Sequence, residues 1–311
     1  MRLALALDLG GTQTRAGLVD AAGRVLAAAQ APTDAAAGPD IVIGHMARLV
    51  ESVRRAMPQA RPVGLGVGAP GPLDAEAGLA IAPPTLSGWR DVPLAALLAE
   101  KTGLETRIEN DANAAALGEW RFGAGKGTRS LVFVTVSTGI GGGVIADGRL
   151  LRGHRGLAAE IGHMTIAEGV ERCACGAFGC WEALASGTAL ARAGERLAAS
   201  GAAPALRERA GGGAVTAREV GEAARAGEAA ALALIDRQAY WLGVGLVNLL
   251  HLYSPEMIVL GGGLARLLDL MRPRMAQTIR ERAMPPYRDV PFVAARLGDQ
   301  AGLVGAASLV L

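Results

Sequence analysis

A pattern of turn signals occurs twice in this chain and restricts its fold more than any other feature. Near the amino terminus, a buried strand over residues 3–9 leads into Gly10-Gly11-Thr12, and a second strand, a DAAG turn and a third strand follow. A strand over residues 130–136 leads into Thr138-Gly139, and a second strand, an Asp147-Gly148 turn and a third strand follow. We interpret the two stretches as a duplicated strand–glycine turn–strand unit. Two such halves predict an α/β protein of two domains with a cleft between them.

Length and composition agree with a folded two-domain chain and exclude several classes of protein. The chain has 311 residues, of which 51% are hydrophobic and 19% charged, so it can bury a large core. The formal net charge is +2 without a long basic run, which gives no reason to expect nucleic acid or a membrane as a partner. The apolar run over residues 3–7 is too short for a signal peptide, and no run long enough to span a membrane occurs. We expect a cytoplasmic protein.

Three glycine clusters each follow a predicted strand and are typical of phosphate binding. They lie at Asp8–Thr12, Ser137–Gly143 and Gly261–Gly263. Without Cβ atoms the backbone can approach an anion closely and direct its N–H groups at it. The hydroxyls of Thr12 and Thr138 would add donors, and Asp8 would face a hydrated Mg²⁺ ion. Each cluster taken alone can equally be an ordinary tight turn.

The segment ENDAN at residues 109–113 lies between a predicted strand and a predicted helix and has two interpretations. Asn110 or Asp111 can cap the helix, because such side chains satisfy its free N–H groups. Alternatively, Asp111 accepts a proton from a substrate hydroxyl, since a helix amino terminus favours a carboxylate. The result would be a weak but well-oriented base, and orientation matters more than basicity in phosphoryl transfer.

The chain has three cysteines, and all of them lie close to one histidine. Four soft ligands occur within 18 residues, at His163, Cys173, Cys175 and Cys180. This set matches a closed, structural zinc site of the Cys₃His type. The odd cysteine count disfavours disulfides, and inert core cysteines remain the alternative, although Gly176 and Gly179 favour a ligand loop. Zinc would also position Glu160 and Glu182, whose carboxylates suit vicinal sugar hydroxyls.

These motifs together resemble the ROK family of bacterial sugar kinases. The matching segments cover nearly the whole chain and are DLGGT at 8–12, GAPGPLD at 68–74, ENDANAAALGE at 109–119, STGIGGGV at 137–144, AAEIGHM at 158–164, CACGAFGCWE at 173–182, VLGGGL at 259–264 and LGDQAGLVGAA at 297–307. The resemblance implies the two-domain sugar-kinase/actin-like fold, a duplicated ribonuclease H-like fold with the active site in the interdomain cleft. It also implies ATP-dependent phosphorylation of a hexose.

The resemblance assigns roles to individual residues. Asp111 would be the catalytic base on the 6-hydroxyl of glucose. The sugar would be held by Gly68, Thr85, Asn110, Asp111, Glu160, His163 and Glu182. Phosphates would be bound by Gly10, Gly11, Thr12, Thr138 and Gly139, with Asp8 toward Mg²⁺. Gly262 and Gly263 would lie near the adenosine. The zinc on His163 and the cysteines would be structural, and His163 would also shape the sugar site.

One departure from the family pattern concerns the choice of sugar. Glucokinase-like members read Pro-Asn-Leu-x-Gly-Trp where this chain has Thr85 as the second residue of PTLSGW. Glucose is therefore the first expectation, and N-acetylmannosamine or N-acetylglucosamine is the alternative. A pocket near Gly68–Gly71 would decide whether an acetamido group fits. A non-catalytic sugar-sensing protein is the third possibility. ROK repressors carry a DNA-binding domain ahead of DLGGT, and only seven residues precede Asp8 here.

We expect an amino-terminal domain formed by residues 1–116 plus 299–311. Residues 117–298 would form a larger domain that carries the zinc site. A final helix over Gln300–Leu311, with Asp299 as its N-cap, would return the chain to the first domain. The resemblance implies a homodimer or a higher homo-oligomer.

Overall fold

The structure is a computed structural model and describes residues 2–311. Its strands are β1 (Leu3–Leu9), β2 (Gln13–Asp20), β3 (Val25–Pro32), β4 (Leu65–Ala69), β5 (Leu73–Asp74), β6 (Leu79–Ala80), β7 (Thr106–Asn110), β8 (Leu131–Val136), β9 (Ile140–Ala146), β10 (Arg149–Leu150), β11 (Met257–Gly261) and β12 (Phe292–Ala294). Its α-helices are α1 (Pro39–Ala56), α2 (Leu94–Thr102), α3 (Asp111–Phe122), α4 (Trp181–Ala185), α5 (Gly187–Ala199), α6 (Pro204–Arg209), α7 (Ala217–Arg225), α8 (Ala229–Tyr253), α9 (Leu268–Arg282) and α10 (Ala301–Ala307). The predicted α/β class is confirmed.

Two five-stranded sheets share one strand order. The first runs β3-β2-β1-β4-β7 and the second β10-β9-β8-β11-β12. In the first sheet β1, β2 and β3 are antiparallel neighbours, whereas β4 and β7 continue parallel to β1. The two orders correspond strand by strand: β1, β2 and β3 of the first sheet take the places of β8, β9 and β10 in the second, and β4 and β7 take the places of β11 and β12. The duplication predicted from the turn signals is confirmed.

The sequence of β1, LALALDL, explains how the first sheet packs on both faces. Alternate residues of a strand point to opposite faces. Leu5, Leu7 and Leu9 are buried in a core that includes residues of α1, whereas Ala4 and Ala6 are buried against residues of α10. The small alanines let α10 approach the sheet closely. Asp8 follows this alternation onto the α10 side, where a Cβ added at Gly302 would lie 2.9 Å from the Asp8 Cγ.

The last helix differs from the prediction in its length and its cap. It covers Ala301–Ala307 rather than residues 300–311. Asp299 is not the N-cap, because it lies in a 3₁₀ turn over Gly298–Gln300, and Gln300 occupies the N-cap position without a side-chain hydrogen bond. The residue before the helix already has helical φ and ψ, so the chain enters α10 through a continuous turn that needs no capping side chain. The approach to this turn is held by the buried Glu119 carboxylate, which accepts the N–H groups of residues 296 and 297 at 3.0 and 2.7 Å.

The internal contacts divide the chain into two compact units. The first comprises the chain up to Phe133, Gly143–Ala159 and Ala295–Leu311, and the second comprises Val134–Gly142 and Glu160–Ala294. The domain boundaries expected at residues 116/117 and 298/299, and the cleft between the domains, stay predictions. Within residues 2–311, no helix combines the length and the apolar character needed to cross a membrane.

Candidate active site

In the first unit, three parallel strands bring predicted site residues to one edge of the sheet. The register pairs Asp8 of β1 with Gly68 of β4, and Gly68 with Glu109 of β7. Asn110 ends β7, and Asp111 begins α3 directly after it. The carboxyl ends of parallel strands are where ligands bind in open α/β sheets. The arrangement therefore makes this edge a candidate binding site.

The first glycine turn lies at the same edge of the sheet, next to the separate loop that contains Thr85. The Gly10 N–H donates to the Gln13 carbonyl oxygen at 2.9 Å, which closes the turn between β1 and β2. A Cβ added at Gly11 would lie 3.2 Å from the Thr85 Cβ, so the two predicted site residues are neighbours. Thr12 and Thr85 are both exposed. The turn therefore presents its backbone and the Thr12 side chain to solvent, as anion binding requires.

The electrostatic environment of Asp8 fits a cation ligand. Its carboxylate is half-buried, and the nearest basic group is the Arg15 guanidinium, with Nη1 3.8 Å from Oδ2. Burial raises the pKa of Asp8, and the charge of Arg15 offsets this only in part. A bound cation would supply the missing compensation for a buried negative charge. The donor is a hard oxygen, which is the type that Mg²⁺ prefers.

The structure shows the capping interpretation of ENDAN for Asn110. The Asn110 Oδ1 atom accepts the N–H groups of Ala112 at 2.9 Å and Asn113 at 3.2 Å, so Asn110 is the N-cap of α3. Asp111 occupies the first helical position, and its Oδ1 accepts the Ala112 N–H at 2.8 Å. This hydrogen bond orients the Asp111 carboxylate, and a helix amino terminus is a favourable place for a negative charge. Because the cap is provided by its neighbour, Asp111 is not required for that role.

A fully buried carboxylate, Glu109, lies behind this segment and was not singled out from the sequence. Its Oε1 accepts the Asn110 N–H and the Asn113 Nδ2–H, both at 3.1 Å. Its Oε2 accepts from Arg152 Nε at 2.7 Å. A buried charge is tolerated only when it is paired and hydrogen-bonded, and Glu109 meets both conditions. The available signal was an acidic residue at the end of a buried strand, directly before the candidate base.

In the second unit, Glu182 lies against the second glycine turn. Its Oε2 accepts the Ile140 N–H at 2.9 Å. A Cβ added at Gly139 would overlap that oxygen and lie 3.1 Å from the Glu182 Cδ, so only glycine fits between them. The carboxylate of Glu182 thus braces the turn that contains Thr138 and Gly139. Its other oxygen, Oε1, lies 3.9 Å from the Cys173 Sγ.

The four predicted metal ligands form one cluster, whose ligand atoms all lie within 4.8 Å of one another. The Cys175 and Cys180 sulfurs are 3.7 Å apart, and the Cys173 sulfur is 3.7 Å from His163 Nδ1. Tetrahedral zinc with ordinary bond lengths requires about 3.8 Å between sulfurs and about 3.6 Å between sulfur and nitrogen. None of the cysteines forms a disulfide. The cluster is therefore compatible with a structural zinc ion.

The pKa values of two thiols in the cluster are shifted in opposite directions. Burial raises the pKa of the Cys180 thiol to about 12, whereas the Ala177 N–H lowers the pKa of Cys175. Only thiolates bind metal, and a bound cation is the group that would deprotonate a buried thiol such as Cys180. One further predicted residue, Glu160, lies close to His163 along the chain. Its carbonyl oxygen accepts the His163 N–H at 3.1 Å in a single 3₁₀ turn, and both side chains are exposed.

A cavity of about 580 Å³ in the second unit is lined by Thr138 and Gly263. This volume lies in the range typical of small-molecule sites. The turn residues are fixed to the start of α5, since Thr188 Oγ1 donates to the Thr138 carbonyl oxygen at 2.8 Å. Gly262 has φ 81°, and the backbone of Val136 fills the place of a Cβ, so this position requires glycine. The second and third glycine clusters therefore meet at one cavity.

Comparison with known proteins gives the family. Residues 4–311 match the model of the ROK family. The chain belongs to the ROK family. It is 36% identical over 309 residues to a glucokinase of Halalkalibacterium halodurans, covering 98% of this chain and 93% of that protein. It is 37% identical over 322 residues to a glucokinase of Streptomyces coelicolor, covering 99% and 98%.

A solved structure gives the same result for the fold of this ROK protein. The ROK family glucokinase from Streptomyces griseus, crystallised in complex with glucose and AMPPNP, superposes with a TM-score of 0.87 and 35% identity over 99% of both chains. The resemblance read from the motifs and the sugar-kinase fold that it implied are thus confirmed.

The cavity of this ROK protein also contains residues that the sequence motifs did not indicate. Part of its wall is the first turn of α7, where Thr216 forms a capping box with Glu219. The signal for this helix start was present as Thr-x-x-Glu at residues 216–219. Nothing in the sequence placed that helix beside Thr138, because the two segments are almost 80 residues apart and meet only in the folded unit.

Proposed function

We propose that this ROK protein is an ATP-dependent kinase that transfers the γ-phosphoryl group of ATP to the 6-hydroxyl of glucose. The observation that carries the proposal is the placement of Asp111. It stands at the first position of α3, next to Asn110, which caps that helix. At the same sheet edge, β1 contains Asp8 and leads into the first glycine turn. Relatives with 36% and 37% identity over nearly the full chain are glucokinases.

In the proposed reaction, the sugar oxygen forms a bond to the γ-phosphorus as the bond between that phosphorus and the leaving oxygen of ADP breaks. Asp111 accepts the proton of the 6-hydroxyl and orients its oxygen for in-line attack. Gly10, Gly11, Thr12, Thr138 and Gly139 hold the phosphates through N–H and hydroxyl groups, and Gly262 and Gly263 approach the adenosine. Mg²⁺ bound with ATP, with Asp8 toward it, supplies charge neutralisation on the phosphates.

The sugar is held, in this proposal, by Gly68, Thr85, Asn110, Glu160, His163 and Glu182. Carboxylates and amides suit this role because each accepts or donates more than one hydrogen bond to vicinal hydroxyls. The metal on His163, Cys173, Cys175 and Cys180 is inferred to be zinc and to be structural, since four protein ligands leave no open coordination position. We also propose a homodimer or higher homo-oligomer in the cytoplasm.

An N-acetylhexosamine is the second candidate acceptor. Thr85 replaces the asparagine expected for a glucokinase, and it packs directly against Gly11. A threonine offers one hydroxyl where asparagine offers an acceptor oxygen and two N–H donors, so the sugar hydroxyls read at this point differ. Such a change alters the preference between substrates by the free energy of the lost or gained hydrogen bonds.

The test is an ADP-release assay with glucose, mannose, N-acetylglucosamine and N-acetylmannosamine, analysed as kcat/KM. Glucose is expected to give the highest value, and preference for an acetamido sugar would establish the second candidate. Absence of turnover with every sugar would refute the kinase and favour a sugar-sensing protein.

Asp111→Asn is expected to lower kcat by about 10²–10⁴-fold with little change in sugar affinity, because a base is lost while a hydrogen-bonding group of similar shape remains. Sugar affinity is measured by calorimetry. The matched control is Asp147→Asn, in the exposed hairpin turn before β10. Activity of Asp111→Asn equal to that of the control would remove Asp111 from its role.

A further inference from the structure

A second cavity, of about 620 Å³, lies in the first unit. None of the predicted site residues lines it. Its walls come from β7, the carboxyl-terminal half of α3, the β9–β10 hairpin and the chain end at Ser308 and Leu309. Among the described residues that line it, the charged side chains are Arg107, Arg121, Arg149, Arg152 and Glu76. Four guanidinium groups and one carboxylate give the lining itself a net positive charge.

Two of these arginines are already paired with carboxylates, and two are not. Arg107 Nη2 lies 3.0 Å from Glu105 Oε1, and Arg152 Nε lies 2.7 Å from Glu109 Oε2. Arg121 Nη1 donates to the Ser308 carbonyl oxygen at 2.7 Å, and no carboxylate of residues 2–311 pairs with it. No ion pair within the same residues involves Arg149. The cavity thus has two cations available for an anion.

The surroundings of Arg121 support this interpretation. Arg121 is exposed over part of its side chain, and the loss of hydration around its guanidinium, with no carboxylate to offset it, lowers the pKa of Arg121. An anion in the cavity would restore that lost stabilisation. Apolar groups complete the wall, chiefly Leu117, Trp120 and Leu309. A site of this volume is larger than a phosphate ion needs, so its ligand has a second, less polar part.

We infer that this cavity binds a small phosphate ester of about the size of a hexose phosphate. Its phosphate oxygens would accept from the forked N–H groups of Arg121 and Arg149, a geometry that guanidinium groups match better than lysine does. The ring of the ester would lie against Trp120 and its apolar neighbours. The ligand is distinct from the ATP of the proposed reaction, because Thr138 and Gly263 line the other cavity, in the second unit.

The cavity is connected to the catalytic segment by a short chain of charged contacts. Arg152 lines the cavity and pairs with Glu109, and Glu109 accepts the Asn110 N–H and holds Asn113 of α3. An anion that attracts Arg152 would weaken its pair with Glu109. The orientation of Asn110, the cap next to Asp111, would then be less fixed. Occupancy of the cavity should therefore weaken sugar binding, a consequence that rests on the proposed function, whereas the binding itself does not.

Binding is tested by isothermal titration with glucose 6-phosphate in the presence of saturating glucose, which occupies the proposed sugar site. The parent should bind one equivalent, and Arg149→Gln and the double variant R121Q/R149Q should bind about tenfold or more weakly. Arg55→Gln, which removes an exposed arginine of α1, is the matched control and should bind like the parent. Equal affinity in parent and double variant, or equal loss in the control, would overturn the inference.

Two further titrations define the ligand. Inorganic phosphate should bind more weakly than glucose 6-phosphate because it cannot contact the apolar wall; equal affinity would assign the cavity to a free phosphate ion instead and overturn the ester. If Arg121 proves necessary for folding, as circular dichroism would show, Arg149→Gln alone still decides the outcome, because Arg149 is exposed.

The connection to the catalytic segment is tested by steady-state kinetics. Glucose 6-phosphate should raise the KM for glucose in the parent more than in Arg149→Gln, with kcat little changed. Identical inhibition in both proteins would mean that the ester acts only at the sugar site and would overturn the connection. A protein without kinase activity would fail the kinetic test but would still show the calorimetric binding, so the two failures are distinguishable.

Discussion

Loss of the metal at the Cys₃His cluster should destabilise the second unit and weaken sugar binding. The informative substitution is Cys175→Ser, because Cys175 is exposed while Cys173 and Cys180 are buried. Serine has nearly the same shape, so no cavity forms and the main change is the loss of one thiolate ligand. Two pairs of ligand atoms already have the spacing of a tetrahedral site, and all four ligand atoms lie within 4.8 Å of one another, so metal binding needs little rearrangement of the loop.

The size of the effect follows from linkage between binding and folding. A metal that binds only the folded state, at a free concentration about a thousandfold above its Kd, stabilises that state by about 4 kcal/mol. For a folded unit of roughly 150 residues, 1 kcal/mol corresponds to about 2–4 °C in Tm. Removing the metal should therefore lower the Tm of the second unit by about 8–16 °C.

The consequence for the sugar follows from Glu182. It lies two residues after Cys180, its Oε1 is 3.9 Å from the Cys173 Sγ, and its Oε2 holds the Ile140 N–H. A loosened ligand loop would let this carboxylate move. Changes next to a metal site typically cost about 10–100-fold in affinity or activity, so the KM for the sugar should rise by about tenfold or more.

The assays are metal analysis, differential scanning calorimetry with and without a chelator, and kinetics of ADP release. Ala174→Ser is the matched control, since it introduces the same side chain into the same loop between two ligands. The parent and the control should contain about one zinc per chain and lose stability on chelation. The reasoning is refuted if metal-free parent protein, or Cys175→Ser, retains the parent's Tm and its KM for the sugar.

Three other substitutions probe the remaining parts of the site. Asp8→Asn should raise the Tm of the first unit while abolishing Mg²⁺-dependent turnover. Burial raises the pKa of Asp8, so the stability lost by ionising it grows as the pH rises above the unfolded pKa and is complete above the folded pKa. A lower Tm in calorimetry would contradict this. Gly139→Ala should raise the sugar KM at least as much as kcat falls, because the new Cβ displaces Glu182; unchanged kinetics would show that Glu182 need not brace the turn. For Glu219, burial is outweighed by hydrogen bonds from Thr216 and Arg218, which lower its pKa to about 2. Its stabilisation is therefore complete above about pH 4.5 and lost as the pH falls toward 2, so urea unfolding of Glu219→Gln should show a weaker pH dependence than the parent over that range.

Much of the fold was predictable because its signals are local. The short buried run that ends at Gly10-Gly11 predicted the bounds of β1 correctly, and the two glycine turns with their flanking strands predicted the duplication. The final helix was predicted too long, since a run of apolar and small residues to Leu311 does not reveal where hydrogen bonding stops. Its entry by a 3₁₀ turn depends on Glu119, far away in sequence, which binds the preceding backbone.

The candidate site also has features that could be predicted from the sequence and features that could not. The sequence alone indicated the four candidate metal ligands and the order Asn110–Asp111, because ligand spacing within 18 residues and a helix start are properties of short segments. It did not determine which of the two side chains caps α3, since both residue types can do so. The hydrogen bonds of Asn110 with the N–H groups of Ala112 and Asn113 decide that question in favour of Asn110.

The buried pair of Glu109 with Arg152 and the basic cavity were decided by tertiary structure alone. In the sequence, the four cavity arginines are unremarkable, since they are spread over 46 positions among many others. Folding brings β7, α3 and the β9–β10 hairpin together, and burial of apolar surface drives that packing without regard to where the charges fall. The sequence by itself therefore indicated most strands of the two large sheets, the glycine turns and the candidate metal loop, whereas the cavities exist only where distant segments pack together.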